Sequence, residues 1–145
     1  MKERLVIIPT YNEKENIQDI ITHVLGLTPT FDVLVVDDGS PDGTATIVKD
    51  LMRSYAGRVH ILERAGKLGL GTAYIAGFKW AIAQGYGHVF EMDADFSHDP
   101  NDLVRLYDAC ANGGADMSVG SRYVKGGRVK DWSWDRIMLS FSASL

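Results

Sequence analysis

Asp93 and Asp95, separated by one residue, are the residues whose type and spacing most directly suggest chemistry. In an extended chain, residues i and i+2 point the same way, so both carboxylates can converge on one cation. Carboxylate oxygens, with water and phosphate oxygens, suit Mg²⁺ or Mn²⁺. Such an ion, bridging a diphosphate, stabilises charge on a leaving group. Asp-x-Asp is common in surface loops, but this pair directly follows the apolar run His88–Met92. That position favours a ligand site at the end of a strand.

A second acidic pair, Asp37 and Asp38, follows another apolar run and precedes Gly39 and Ser40. Acids, serines and glycines at such a place are typical of a turn that leads into a helix cap. Two adjacent carboxylates exceed what the turn needs. We therefore expect one of them to accept hydrogen bonds from a ribose or a base.

The elements that must position these residues alternate between two periodicities. Short, branched apolar runs predict five buried strands, at Leu5–Ile8, Val33–Val36, Val59–Leu62, His88–Met92 and Asp116–Val119. Between them, apolar residues at helical spacing predict four helices, near residues 17–25, 45–52, 73–82 and 99–111. This alternation predicts an α/β fold, a mainly parallel sheet with helices on both faces, of Rossmann-like type.

In such a sheet, ligands bind outside the carboxyl ends of the strands. Polar residues follow four of the predicted strands, at 9–13, 37–40, 93–95 and 120–122, so we expect the site at that edge. No Gly-x-Gly-x-x-Gly follows the first strand, which argues against a dinucleotide-dependent dehydrogenase. The glycines of 66–71 lack the Lys-Ser/Thr ending of a P-loop, and we expect them to let the third helix begin close to the ligand.

Length and composition limit the number of domains and the classes of partner that the chain can have. A chain of 145 residues has room for one domain, and its net charge of -4 argues against a nucleic-acid partner. The single cysteine, Cys110, allows no internal disulfide, and no apolar run approaches the 18 residues of a membrane span. No signal peptide is apparent, so we expect a cytoplasmic protein, at most peripheral on the cytoplasmic face of a membrane.

The segment 120–136 carries a local excess of positive charge. It has two acidic residues against five basic ones, Arg122, Lys125, Arg128, Lys130 and Arg136. This excess can hold an anionic partner or form an ordinary solvated loop. Downstream, Trp132, Trp134 and the apolar residues of 137–141 suit either a membrane interface or a helix packed on the domain. Both alternatives stay open.

Taken in order, several segments resemble the polyprenol- or dolichol-phosphate mannose synthases, inverting transferases of the second glycosyltransferase family with a GT-A fold. These segments are IIPTYNEKENI, VVDDGSPDGT, GKLGLGTAYIAGF, MDADFSHDP and GSRYVKGG, followed by a Trp and Arg136. The resemblance covers nearly the whole chain. It implies a single nucleotide-sugar-binding domain over residues 1–145, with an acceptor loop at 120–136.

The resemblance also implies roles for individual residues. The nucleoside of GDP-mannose is expected at Pro9, Tyr11, Glu13, Val36 and Asp38. Metal and diphosphate are expected at Asp93, the backbone near Ala94, and Asp95. Ser97 stands where some relatives carry glutamine, and its hydroxyl or a water is expected in the metal shell. Arg122 and Arg136 are expected to grip the acceptor phosphate, and Arg122 is also expected to contact the nucleotide sugar. Asp95, Arg122 and Arg136 form the expected catalytic set.

The implied reaction transfers mannose from GDP-mannose to a polyprenyl phosphate, with inversion and a Mg²⁺ or Mn²⁺ cofactor. A phosphate monoester is already anionic near neutrality, its second pKa being about 6. Such an acceptor needs positioning rather than a general base. Two alternatives remain: a related transferase with another donor, such as UDP-glucose, or a hydroxyl acceptor, and a non-catalytic nucleotide-binding domain.

Members of this family continue beyond the point where the sequence stops, at Leu145. We therefore expect a chain shortened at its C-terminus. By itself it is expected to bind nucleotide and metal weakly and to transfer sugar poorly or not at all.

Overall fold

The computed structural model describes residues 2–121. The chain runs through β1 (Lys2–Thr10), α1 (Ile17–Leu25), β2 (Asp32–Asp37), α2 (Thr44–Ser54), β3 (Val59–Glu63), α3 (Leu70–Gln84), β4 (Tyr86–Glu91) and α4 (Asp102–Ala111). Four of the five predicted strands and all four predicted helices are therefore present. The acceptor loop predicted at 120–136 lies outside the described residues except for Gly120 and Ser121, as do Arg122, Arg136, Trp132 and Trp134.

All four strands are parallel, in the order β3-β2-β1-β4. The chain first steps from β1 to β2 and β3 on one side, and then crosses to β4 on the other side of β1. The direction of winding thus reverses between β1 and β4. A ligand crevice is expected outside the carboxyl ends of the strands at such a reversal.

Successive strand residues face opposite layers, as the pleat requires. Val6 and Ile8 of β1 pack into the core beneath α1, α2 and α4. Leu5 and Ile7 of the same strand pack into the core beneath α3. Helices therefore cover both faces of the sheet, and the predicted α/β fold is confirmed.

α3 approaches the sheet through its smallest residues, with Ala73, Gly77 and Ala81 buried. A Cβ added at Gly77 would lie 2.8 Å from Ile7 Cγ2, whereas one added at Gly71 would meet nothing within 4 Å. We expect Gly77→Ala to destabilise the fold by about 1 kcal/mol, because overpacking outweighs the gain in helix propensity. The matched variant Gly71→Ala is expected to be neutral or stabilising. Urea unfolding of both variants checks the prediction, and equal effects of the same sign would contradict it.

The fifth strand predicted at Asp116–Val119 is wrong, because these residues form irregular chain. Met117 and Val119 are 78% and 73% exposed, so their apolar side chains have no second layer to pack against within residues 2–121. The Ser118 hydroxyl donates to the carbonyl of Leu106 in α4 at 2.8 Å. This contact ties the segment to the helix rather than to the free edge of β4.

The fourth helix begins at Asp102, later than predicted from Asp99. The Asp99 carboxylate accepts the backbone N–H of Asn101 at 3.0 Å, and the Asp99 carbonyl accepts the N–H of Asp102. These bonds form a turn that precedes the helix. Among the helices of residues 2–121, none is long and apolar enough to cross a membrane.

Candidate active site

An open cavity of about 220 Å³ lies at the carboxyl ends of β1, β2 and β4. Its walls come from the segments that follow these strands and from the start of α3. The lining residues are Pro9, Thr10, Tyr11, Glu13, Asp38, Lys67, Leu70, Ala73, Asp93, Ala94 and Asp95. The sequence-based expectation that polar residues gather at this edge of the sheet is confirmed for the segments that follow β1, β2 and β4. The cavity unites seven of the eight residues assigned to the nucleotide sugar within the described chain.

Asp93 and Asp95 stand together just beyond β4. The backbone N–H of Ser97 donates to Asp95 Oδ1 at 3.0 Å, and the Ser97 hydroxyl reaches Asp93 Oδ2 at 3.5 Å. Phe96 adopts a left-handed φ of 61°, which turns the chain so that Ser97 can bridge the two carboxylates. His98 Nδ1 accepts the backbone N–H of Asp93 at 3.3 Å. The acidic pair is therefore held in a defined turn.

The pKa of Asp95 is lowered from its ordinary value. Burial acts to raise this pKa and is the largest single effect, but hydrogen bonds from the hydroxyl and backbone of Ser97 and from the backbone N–H of Asp95, together with the nearby His98, outweigh it. Asp95 is thus ionised at neutral pH, which is the state that a cation requires.

Asp93 and Asp95 fit a hard divalent ion, with Ser97 close to both. Within residues 2–121, no group of three or more histidine, cysteine, aspartate or glutamate side chains could enclose a metal. Two carboxylates would therefore supply only part of a coordination shell. Mg²⁺ typically needs no more than this from the protein, because it keeps several waters and binds substrate phosphates together with one or two carboxylates.

The pKa of Glu13 is raised by burial, and partly by the other carboxylates in and near the cavity. Burial raises its pKa above the ordinary value of 4.5, with a hydrogen bond from Asn16 opposing the change. The carboxylates of Asp95, Asp42 and Asp93 raise it further. A bound cation would relieve this repulsion.

The raised pKa of Glu13 predicts a pH dependence of stability. As pH rises from 4.5 through the higher folded-state pKa, the folded protein binds more protons than the unfolded chain does, so stability falls. Glu13→Gln removes this titration. We expect the variant to gain stability relative to the parent chain between pH 4 and pH 7, as measured by urea unfolding in metal-free buffer. Parallel stability curves would show that Glu13 titrates normally.

The two carboxylates at the tip of β2 have different partners. Asp37 is buried, and it accepts hydrogen bonds from the hydroxyls of Thr10 at 2.7 Å and Ser40 at 2.6 Å. Asp37 therefore fastens the ends of β1 and β2 together. Asp38 lines the cavity. Of the two carboxylates, Asp38 is therefore the one that a ligand in the cavity could contact.

Asp38 is bound by Arg64, which sequence reasoning missed. Arg64 Nε donates to Asp38 Oδ1 at 2.6 Å, and a second guanidinium nitrogen donates to Oδ2 at 2.9 Å. Arg64 also donates to the Gly69 carbonyl at 3.2 Å and to the Thr72 hydroxyl at 2.8 Å. This one side chain thus joins the tip of β2 to the start of α3.

The remaining predicted nucleoside contacts divide into two groups. Pro9 and Tyr11 line the cavity, and Tyr11 is 41% exposed. Val36 is fully buried and packs in the core beneath α3, so its side chain is not part of the cavity wall. Lys67, which sequence reasoning did not assign, lines the cavity with its Nζ 4.9 Å from the centre of the Tyr11 ring.

A parallel α/β sheet with an open, acidic cavity at its switch point belongs to the class of domains that bind ligands at the carboxyl ends of their strands. Comparison with known proteins shows the family to which this domain belongs. Residues 5–144 match the model of glycosyl transferase family 2. The chain belongs to this family, and its fold is of the GT-A type.

Curated relatives share 41–51% identity with the chain. The polyprenol monophosphomannose synthase of Mycolicibacterium smegmatis is 51% identical over 97% of this chain and 52% of its own length. The undecaprenyl-phosphate mannosyltransferase of Micrococcus luteus is 47% identical over 97% and 57%. The dolichol-phosphate mannosyltransferase of Pyrococcus furiosus is 41% identical over 95% and 38%. The chain thus spans about half the length of the two bacterial relatives.

Solved structures of similar fold include a mannosyltransferase and the protein TarS. A mannosyltransferase from Pyrobaculum calidifontis, in complex with GDP-Man and Mn²⁺, is 26% identical over 53% of this chain and 24% of its own, with a TM-score of 0.50. TarS from S. aureus is 28% identical over 77% of this chain and 32% of its own, with a TM-score of 0.57. TarS has also been solved in complex with UDP-GlcNAc.

Proposed function

We propose that this chain is the donor-binding part of an enzyme that transfers mannose from GDP-mannose to a polyprenyl phosphate, with inversion. The observation that carries the proposal is the convergence of Glu13, Asp38, Asp93 and Asp95 on one cavity at the switch point of the sheet. The names of the curated relatives support mannose and a polyprenyl phosphate.

The donor is expected to lie against these lining residues. Tyr11, Glu13 and Asp38 suit a nucleoside, since a ring and carboxylates can contact a base and accept hydrogen bonds from ribose hydroxyls. Asp93 and Asp95 suit the diphosphate, through a cation, and the sugar. A mannosyltransferase of similar fold has been solved in complex with GDP-Man and Mn²⁺, which supports a GDP-linked donor and a divalent cation in this cavity.

Asp93 and Asp95, with Ser97 beside them, would hold a Mg²⁺ or Mn²⁺ ion. When bound, the ion would neutralise the charge that develops on the departing GDP. The protein's own part is to keep Asp95 ionised and to fix both carboxylates through the turn at 95–98. Glu13, Asp93 and Asp95 exclude a bare diphosphate by repulsion, so donor binding is expected to require the cation.

The acceptor is proposed to bind at 120–136, where Arg122 and Arg136 would grip its phosphate. An anionic phosphate oxygen would attack the anomeric carbon of mannose directly as the bond to GDP breaks. This single displacement inverts the carbon and needs no base, because the attacking oxygen carries no proton to remove. The 120–136 loop as an acceptor site, and residues 1–145 as one domain, remain proposals.

A second candidate is a family-two transferase that uses a uridine-based donor. The similarity to TarS, which has been solved with UDP-GlcNAc, favours it. Calorimetric titration of the 145-residue chain with GDP-mannose, UDP-glucose and UDP-GlcNAc, each with and without Mn²⁺, separates the two. We expect GDP-mannose to bind most tightly, and only with Mn²⁺. Tighter binding of either UDP-sugar would reject the mannose assignment, and no binding of any donor would favour a structural role.

A further inference from the structure

Lys67 is the one basic residue among the described residues that line the cavity. Four acidic residues line the same walls, and Arg64 neutralises one of them, Asp38. Glu13, Asp93 and Asp95 remain without a matching arginine or lysine in residues 2–121. A donor diphosphate would add two further negative charges. Even with a divalent ion present, Lys67 is the only cation that residues 2–121 supply to the cavity wall.

The position of Lys67 is set by the segment that carries it. This segment, residues 64–69, starts at Arg64, which is fixed on Asp38, and ends at Gly69, whose carbonyl Arg64 also binds. Gly69 has a φ of 103°, which favours glycine. Both ends of the segment are therefore held by the same guanidinium. Lys67, within this segment, lines the cavity beside Tyr11.

The ammonium group of Lys67 has no strong partner in the described chain. Its Nζ lies over the Tyr11 ring, 4.9 Å from the centroid, and no carboxylate of residues 2–121 lies within ion-pair distance of it. An exposed cation–π contact contributes only about 0.5–1 kcal/mol. A charge-assisted hydrogen bond to phosphate is stronger, so the ammonium gains by moving from the ring to a phosphate oxygen.

We propose that Lys67 is a donor-binding residue whose ammonium group binds a phosphate oxygen of the nucleoside diphosphate. The inference rests on the proposed function, since it assumes a nucleoside diphosphate in this cavity. In leaving the Tyr11 ring, Lys67 uncovers the aromatic face on which the nucleobase can lie. The same movement thus binds the phosphate and opens the site of the base.

The test compares a nucleotide with the nucleoside that lacks its phosphates. Calorimetric titration of the 145-residue chain with GDP and with guanosine, in the presence of Mg²⁺, is repeated on Lys67→Met and Lys67→Arg. Lys67→Met keeps an apolar stem of similar length but loses the charge. Lys79→Met is the matched control, because Lys79 is exposed on α3 and does not line the cavity.

We expect Lys67→Met to weaken GDP binding about tenfold, the loss of one charge-assisted hydrogen bond, and to leave guanosine binding within about twofold. Lys67→Arg is expected to restore most of the GDP affinity, and Lys79→Met to match the parent. Equal weakening for GDP and guanosine would overturn the proposal, since Lys67 would then act only through Tyr11. Unchanged GDP binding would overturn it as well.

Failure of the proposed function gives a different result. If the parent chain binds UDP and uridine in place of GDP and guanosine, the mannose assignment falls and Lys67 is judged on the uridine pair by the same criteria. If the parent binds neither pair, both proposals fail. Urea unfolding of each variant confirms that the exposed substitutions leave the fold intact.

Discussion

Asp95→Asn is expected to abolish the part of GDP-mannose binding that depends on Mn²⁺. The amide oxygen can still accept the N–H of Ser97 that Asp95 Oδ1 accepts at 3.0 Å, so the turn should persist. The amide is neutral, however, and is a weaker ligand for a hard cation. Loss of even an outer-shell partner lowers metal affinity 10- to 100-fold, so loss of a ligand is expected to cost at least about 100-fold. Calorimetry with and without Mn²⁺ measures this difference.

Asp99→Asn is the matched control for Asp95→Asn. Asp99 lies in the adjacent exposed turn that precedes α4 and accepts a backbone N–H from Asn101 at 3.0 Å, but it does not line the cavity. Its substitution is expected to leave Mn²⁺-dependent binding unchanged. Equal losses in the two variants would mean that the conformation of the segment 95–102, rather than the carboxylate of Asp95, determines donor binding. A full Mn²⁺ effect in Asp95→Asn would reject the metal site.

The positions of the four strands could be predicted because a strand that is buried on both faces appears in the sequence as a continuous apolar run. Each of the four observed strands coincides with a branched apolar run, and the helices between them force parallel pairing. Parallel pairing in turn brings the residues after each strand to one edge. That reasoning placed Asp38 and Asp95 together without any knowledge of side-chain contacts.

The face of α3 that packs on the sheet could not be predicted from the apolar pattern. Its apolar pattern includes Ile75, Phe78 and Ile82, yet these side chains are exposed and small residues face the sheet. Helical spacing identifies a helix, but a helix that is apolar on several sides does not reveal which side packs. α3 lies so close to β1 at Gly77 that a larger side chain there would meet Ile7. Size, rather than hydrophobicity, was the informative property.

The fifth predicted strand shows a related limit. An apolar run predicts burial only if a neighbouring strand or helix covers it, and the sequence does not say which neighbour is available. Residues 116–119 lie instead against α4 through Ser118. The local pattern alone could not distinguish these outcomes.

The Arg64–Asp38 pair was missed although a signal for it exists. β2 and β3 pair in parallel with Asp37 opposite Glu63, so the next residue of each strand end, Asp38 and Arg64, occupies an equivalent place. An acid and an arginine one residue beyond two adjacent parallel strands therefore predict an ion pair across the strand ends. Using that signal requires the register of the strands, which the sequence alone does not supply.

Arg64→Met is expected to lower the free energy of unfolding by about 2–3 kcal/mol, because it leaves a nearly buried carboxylate at Asp38 without its bidentate partner. It also removes the bonds to Gly69 and Thr72 that hold the segment 64–69. We therefore expect GDP binding to weaken as well. Urea unfolding and calorimetric titration measure the two effects.

The double variant Arg64→Met, Asp38→Asn separates stability from binding. Removing the unpaired charge is expected to recover part of the lost stability, whereas GDP affinity should stay low because Asp38 can no longer accept from the nucleoside as a carboxylate. Arg53→Met is the matched control, since Arg53 pairs with Asp50 with both side chains mostly exposed, 79% and 61%. Such a pair is worth less than about 1 kcal/mol. Equal destabilisation by Arg53→Met and Arg64→Met would show that burial of the Arg64–Asp38 pair does not increase its contribution to stability.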